Sequence, residues 1–157
     1  QPLRICGVEW WVQARESDGM QPSLGLHWDA DENQMLEVGE HLPPWLATVT
    51  YLGSRGAPTL LLPAAADAHS RTVPLSIGGY LSWPRPGKHL AFDGRLLHGT
   101  LHDLSTDHPD APPHVRVTIL VNIWVGHHPR DVLPLPTILA EELSTPLYAP
   151  PHLSPHL

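Results

Sequence analysis

The stretch "VRVTILVNIWV", residues 115–125, decides what kind of fold this chain can adopt. Side chains along a β-strand alternate between the two faces of its sheet. One face therefore carries Val115, Val117, Ile119, Val121, Ile123 and Val125, with no polar side chain among them. The other carries Arg116, Thr118, Leu120, Asn122 and Trp124. An all-aliphatic face must be covered by a second layer, and the chain shows almost no helical periodicity that could supply one. We expect the cover to come from residues upstream of Gln1 or from a partner subunit. The opposite face must meet something polar and confined, because a mid-strand arginine is costly to bury without an anion.

The rest of the chain repeats the strand pattern. Alternating or β-branched runs occupy 5–15, 23–29, 46–53, 58–63, 72–77, 79–83, 89–93 and 95–99. Turn signals separate them: "ESDGMQP" (16–22), "GSRGAP" (53–58), "PRPGK" (84–88) and "TDHPDAPP" (106–113). One short helix is expected, at "TILAEELS" (137–144). Short strands joined by turns predict an all-β antiparallel sandwich or barrel. At 157 residues the chain has the length of one domain. Much of its 19-residue proline complement falls late, so 1–130 reads as the domain and 131–157 as a Pro/His-rich tail.

Composition narrows the partners. The net charge is −7 and no basic run occurs, which disfavours a nucleic-acid backbone. No stretch approaches the roughly 18 apolar residues of a membrane helix. The single cysteine, Cys6, cannot form an internal disulfide and suits a small buried strand position. The chain begins with Gln, so we expect a removed presequence or a longer parent polypeptide.

Chemistry concentrates in "LGLHWDADENQ", residues 24–34. His27 and Asp29 are two apart and would project side by side from a strand. A third ligand, His98, closes the run "RLLHG" (95–99). Two imidazoles and one carboxylate make the facial set that binds non-haem Fe(II) and leaves positions open for substrates. Arg116 follows with Thr118 beside it on the same face. A guanidinium can grip a carboxylate bidentately, so a keto acid could chelate the metal at one end and be clamped at the other.

The order H-x-D, then a Gly-Lys-aromatic run closing on "LLHG", then R-x-T, resembles the Fe(II)/2-oxoglutarate-dependent dioxygenase superfamily, prolyl-hydroxylase-like members in particular. The likeness spans roughly residues 20–125, and "TVTYL" (48–52) followed by "GAPTLLL" (56–62) is similar to the strand pair between the family's ligands. The resemblance implies a double-stranded β-helix, or jelly roll, over 1–130, with Fe(II) on His27, Asp29 and His98. It implies 2-oxoglutarate as cosubstrate, its far carboxylate on Arg116 with Thr118 adding a hydroxyl, and O2 as oxidant. A small molecule or protein side chain would be hydroxylated or otherwise oxidised, with succinate and CO2 released. Halogenating members keep the Asp29 position small, so the carboxylate here favours hydroxylation.

There are departures. The spacing from His98 to Arg116 is long and requires "HDLSTDHPDAPPH" (102–114) to be a loop. The family's supporting helices precede the H-x-D, where this chain has few residues. Two other readings stay open: a non-catalytic jelly-roll binding or scaffold module, and a cupin-type metal protein, although a cupin would show H-x-H and a Glu. A need for reduced iron and the single cysteine suit an intracellular setting.

Further residues carry lesser expectations. Asn122, Tyr51 and Thr59 are candidate contacts to cosubstrate or substrate. Asp31 and Glu32 are expected to be solvated or to neighbour the ligands. His102 is not expected to ligate, and His127, His128, His152 and His156 are expected at the surface. Arg95 is expected exposed in a turn and Trp28 in packing. Of Trp10 and Trp11 only one can point inward, the other lining a pocket or covering the barrel.

Overall fold

The computed structural model describes residues 3–16, 24–65, 78–105 and 112–144. The strand expected at 72–77, nearly all of the 16–22 turn, and His152 and His156 lie outside the described residues. Among the described residues are eight strands: β1 (Ile5–Glu16), β2 (Leu24–His27), β3 (Leu46–Tyr51), β4 (Thr59–Ala65), β5 (Tyr80–Ser82), β6 (His89–Asp93), β7 (Leu96–Thr100) and β8 (Val115–Val125). Two helices, α1 (Glu32–Val38) and α2 (Thr137–Ser144), and a 3-10 turn at His102–Leu104 complete the elements. The described structure is mostly β, as expected, and α2 occupies the predicted span. None of the described helices is long and apolar enough to cross a membrane.

The strands form two four-stranded sheets, ordered β1-β8-β3-β6 and β2-β7-β4-β5. Every pairing is antiparallel. The core lies where the inner faces of both sheets meet. Ala47, Val49 and Tyr51 of β3, Leu61 of β4 and Phe92 of β6 are buried together, with Leu90, Leu96 and Leu120 packed against them. Alternation along β8 is resolved as the sequence suggests, but with the polar side inward. Arg116, Thr118, Asn122 and Trp124 are buried, while Val115 is half-exposed.

The aliphatic side of β8 faces outward beside the apolar face of β1. Val8 pairs with Ile123, Trp10 with Val121 and Val12 with Ile119. Val8, Trp10 and Val12 are each more than half exposed, at 53%, 54% and 55%. Continuous apolar surface of this kind is unusual on a solitary domain. Trp10 thus belongs to this outer face and not to the core, and Trp11 is the one that turns inward.

Helix α1 was not expected; residues 33–44 read as loop. Its signals are nonetheless present. Asp31 caps the N-terminus by accepting from the Gln34 N–H, and Gly39 ends the helix in the left-handed region at φ 77°. Asp31 is only 4% exposed. It also accepts from the Arg130 backbone N–H at 2.9 Å and bonds His127 Nε2 at 2.7 Å. His127 is therefore half-buried against Asp31 and not simply a surface residue, because the chain after β8 is tied to the segment that follows β2.

Burial acts to raise the Asp31 pKa, but the Gln34 N–H, His127 and the Arg130 N–H outweigh it and hold the group below the ordinary carboxylate value. Its stabilisation is thus present above the unfolded-state pKa and is lost as pH falls through the lower folded value. Asp31→Ala is expected to lower the unfolding free energy by about 1–3 kcal/mol at neutral pH. Denaturant melts should show that gap closing in acid; a gap that persists there would assign the loss to something other than the carboxylate.

Candidate metal centre

The last residue of β2, His27, stands directly opposite His98 of β7. Such closeness requires the two strands to meet without a side chain between them. A Cβ on Gly99 would lie 2.7 Å from the Gly25 carbonyl oxygen and 2.9 Å from that of Leu24, so only glycine fits after His98. The imidazole centroids are consequently 4.4 Å apart. Phe92 supports the inner ring edge-on at 4.9 Å.

Both imidazoles are oriented in the same way. His27 Nδ1 lies 2.8 Å from the Gly25 carbonyl oxygen, and His98 Nδ1 lies 2.9 Å from that of Leu96. A carbonyl can only accept, so each Nδ1 carries the proton and each neutral ring is left with a lone pair on Nε2. Those two Nε2 atoms lie 3.5 and 3.6 Å from Asp29 Oδ1. The distances are long for hydrogen bonds, and all three donor groups fall within 4.8 Å of one another. Facial ligands at bonds of about 2.1 Å would sit about 3 Å apart, so a small inward movement would close the set on a cation.

Asp29 is held from its far side. Asn122 Nδ2 donates to Asp29 Oδ2 at 3.2 Å and lies 3.4 Å from Glu9 Oε1. One carboxylate oxygen is therefore engaged and the other left for a metal. Asn122, expected as a contact to cosubstrate or substrate, lines the cavity and bonds Asp29. The Asp29 pKa is lowered: burial pushes it up, but the neighbouring His27, His98 and the Asn122 amide prevail by favouring the carboxylate. Burial lowers His98, which favours its neutral ligating form, whereas Asp29 raises His27 against a smaller burial effect.

Arg116 and its neighbours occupy the deeper part of the interior. Arg116 is 6% exposed and donates from Nε to the Ala57 carbonyl at 3.1 Å and from Nη2 to Thr59 Oγ1 at 3.2 Å. Its guanidinium lies 5.4 Å from the Tyr51 ring centre. Gly56, at φ 99°, gives the arginine stem its room, since a Cβ there would come within 3.0 Å of it. The Tyr51 hydroxyl is 2.7 Å from Thr59 Oγ1 and 2.8 Å from the Ser82 carbonyl. The carbonyl takes the tyrosine proton, so the Thr59 hydroxyl donates to Tyr51 while accepting from Arg116.

No carboxylate among the described residues lies within ion-pair distance of Arg116, and its cross-strand partner, Arg15, is another cation. Burial, more than Arg15, pulls its pKa down, against Tyr51. Nearby, Thr118 is fully buried and its Oγ1 has no hydrogen-bond partner among the described residues. The separation from the triad follows from register. Thr59 faces Thr100 and Leu61 faces His98, so the Arg116 contact lies two residue steps from the histidine row, on the order of 7 Å.

Between the triad and solvent lies a cavity of about 370 Å³, lined in part by Glu9, Trp11, His27, Trp28, Asp29 and Asn122. Trp28 is fixed by donating Nε1–H to the Ala64 carbonyl at 3.1 Å. Glu9 carried no signal in sequence, because an isolated glutamate on an amphipathic strand reads as solvated. His102 is exposed and outside the triad, and Arg95 is exposed and paired with Asp93. Neither a scan against protein-family models nor a search of curated proteins returns a match to this chain.

The triad should bind one divalent cation, read by competition with a coloured chelator. His98→Ala is expected to weaken binding by more than about 100-fold and Asn122→Ala by about 10–100-fold. Affinity should fall with acidification through the range just above the ordinary imidazole pKa, where His27 takes the competing proton. Binding indifferent to His98 would remove the triad as the site.

Proposed function

We propose that this chain is an Fe(II)- and 2-oxoglutarate-dependent dioxygenase of the hydroxylating kind, built on a double-stranded β-helix. The observation that carries the reading is the pairing of a 2-His-1-carboxylate cluster with a buried arginine that has no carboxylate partner among the described residues. A buried guanidinium costs several kcal/mol without an anion. Its position, about two residue steps along β4 from the histidines, suits the length of a five-carbon dicarboxylate.

The strand order supports the jelly-roll part. Rolling up one long hairpin pairs its first strand with its last, and so inward. The pairs β1·β8, β2·β7, β3·β6 and β4·β5 are all present. Closure of the roll then adds β3·β8 and β4·β7.

The donor set fits iron: two neutral imidazole nitrogens and a carboxylate oxygen on one face, with open positions opposite. Bound there, Fe(II) would supply the activation of O2. The chain's own residues do the rest. Arg116 receives the distal carboxylate of 2-oxoglutarate, and the Thr118 hydroxyl supplies a donor to the same oxygens. Thr59 and Tyr51 hold the guanidinium fork in place. Asn122 engages Asp29 Oδ2 and leaves Oδ1 toward the two imidazoles, and Trp28 narrows solvent access to the cluster. The net reaction converts substrate C–H, 2-oxoglutarate and O2 to substrate C–OH, succinate and CO2. Further protein, from a longer chain or a partner subunit, would cover the outer face of β1 and β8.

Anaerobic titration of Fe(II) and 2-oxoglutarate should produce the weak visible charge-transfer band of a chelated keto acid. The band should vanish in His98→Ala. Arg116→Ala should raise the 2-oxoglutarate needed for half-saturation by about 10–100-fold, from the loss of a charged hydrogen-bonded pair. No band from folded, iron-loaded protein would sink the oxygenase reading.

A further inference from the structure

The wall that β1 contributes to the cavity is not used by any step above. Glu9 and Trp11 are two apart on β1, so they share its inward face, whereas Val8, Trp10 and Val12 face out. Glu9 stands opposite Asn122 in register. The Asn122 amide nitrogen touches both Glu9 Oε1 and Asp29 Oδ2. The Glu9 carboxylate is thus separated from a ligand of the cluster by a single amide group.

Of the three cavity-lining carboxylates nearest the cluster, Glu9 is the one with no cationic partner among the described residues. Asp29 belongs to the cluster, and Asp31 is saturated by the α1 cap, His127 and the Arg130 N–H. The one arginine of the lining, Arg130, is turned to Glu37. No cationic side chain among the described residues pairs with Glu9, while Asp29 and Asp31 both repel its charge. Beside it the Trp124 indole N–H, in a side chain only 1% exposed, favours the anion without completing a hydrogen bond. Burial, with the charges of Asp29 and Asp31, raises the Glu9 pKa against the Asn122 and Trp124 donors, so a cation beside this carboxylate would offset the cost of burying its charge. The accessible Trp11 indole lies on the same face to receive an alkyl stem. The carboxylate takes the charge, and the indole face takes the stem or the cation's flank within about 6 Å.

We propose that this wall selects a prime substrate bearing an ammonium or guanidinium group on an aliphatic stem, with Glu9 as its counterion and Trp11 as its stacking surface. As a statement about a prime substrate it rests on the oxygenase reading; as a statement about a cation site it does not. The charge of the lining agrees, since Glu32 and Asp131 add two more carboxylates. The chemistry is common to a free amine or guanidine and to a lysine or arginine side chain within a protein.

The test uses Zn(II)-loaded protein without 2-oxoglutarate or O2, and follows tryptophan fluorescence with calorimetry. The probes are n-butylguanidinium and its neutral isostere n-butylurea, then free arginine and Nα-acetyl-arginine N-methylamide. The expected result is binding of the guanidinium at least tenfold tighter than the urea, weakening with added salt. Glu9→Gln should reduce the preference to below threefold, and Trp11→Leu should weaken the guanidinium without strengthening the urea. A tighter acetylated amide would point to a protein side chain, and tighter free arginine to a small molecule. Equal binding of guanidinium and urea by the unaltered protein, or a preference that survives in Glu9→Gln, would overturn the inference. The two readings fail separately. Loss of the keto-acid band with the cation preference intact removes the oxygenase, and a band without the preference removes only the cationic substrate.

Discussion

The register that sets His27 opposite His98 is the constraint on which the site depends. It brings together two strand positions 71 residues apart in sequence and makes the imidazole–carboxylate cluster a product of sheet pairing, not of local sequence. The pairing rests on a steric fact, the absence of a side chain at Gly99, where the backbone of β2 passes too close for a Cβ. Each histidine then anchors its Nδ1 on the carbonyl two residues before it, in Gly25 and Leu96. The same local hydrogen bond, used twice, turns both Nε2 atoms toward Asp29. Shifting β2 by one residue would put its histidine on the opposite face and leave Asp29 with one imidazole at most.

Strand β8 shows what the interior gives up to serve the site. A central strand with both neighbours paired is ordinarily apolar on its buried face. Here Arg116, Thr118 and Asn122 occupy that face, and only Leu120 and Trp124 pack as core residues would. Each polar group is costly to bury, and the structure offsets the costs unevenly. Asn122 is satisfied by Asp29 and Glu9, and the Arg116 fork by Ala57 and Thr59, but the arginine charge and the Thr118 hydroxyl are left over. An anion with oxygens to spare would satisfy both leftovers at once. Hydrophobic stabilisation is correspondingly concentrated in β3, β4 and β6, where Val49, Tyr51, Leu61 and Phe92 lie together.

Those features were unequally legible in the sequence. The strand alternation of 115–125 shows which residues share a face but not which face turns inward. The buried side proved to be the polar one, with Arg116, Thr118 and Asn122 turned inward beside the His27–Asp29–His98 cluster. His27, Asp29 and His98 could be paired by ligand chemistry, since imidazole and carboxylate at i and i+2 have few other uses on a strand end. Asn122 was visible as a residue of the Arg116 face, yet its contact with Asp29 depends on how the two sheets pack, which no local pattern encodes. Helix α1 was missed although Asp31 and Gly39 bracket it, because seven residues are too few for periodicity to emerge. Glu9 was missed for a different reason: its meaning comes wholly from its cross-strand partner.

Charge is distributed along the interior in a way that bears on how a site of this kind could be filled. Arg116 and Arg15 face each other across β8 and β1 at the deep end. Glu9, Asp31, Glu32 and Asp131 border the cavity at the open end. The imidazole–carboxylate cluster lies between these regions. A dianion entering past the carboxylates gains only when its far end reaches the arginines, so the field orients it and disfavours the reversed pose. A cation would be favoured at the mouth by the same field and kept from the arginines. Two ligands of opposite charge would thus be sorted to opposite sides of one metal, and neither could occupy the other's place without confronting like charge. Along β1 and β8 the separation runs from Arg15 and Arg116 to Glu9, and the outer face of the pair carries Val8, Trp10, Val12, Ile119, Val121 and Ile123. The pair that divides charge on the inside therefore offers, on the outside, the broadest apolar surface among the described residues of the sheet.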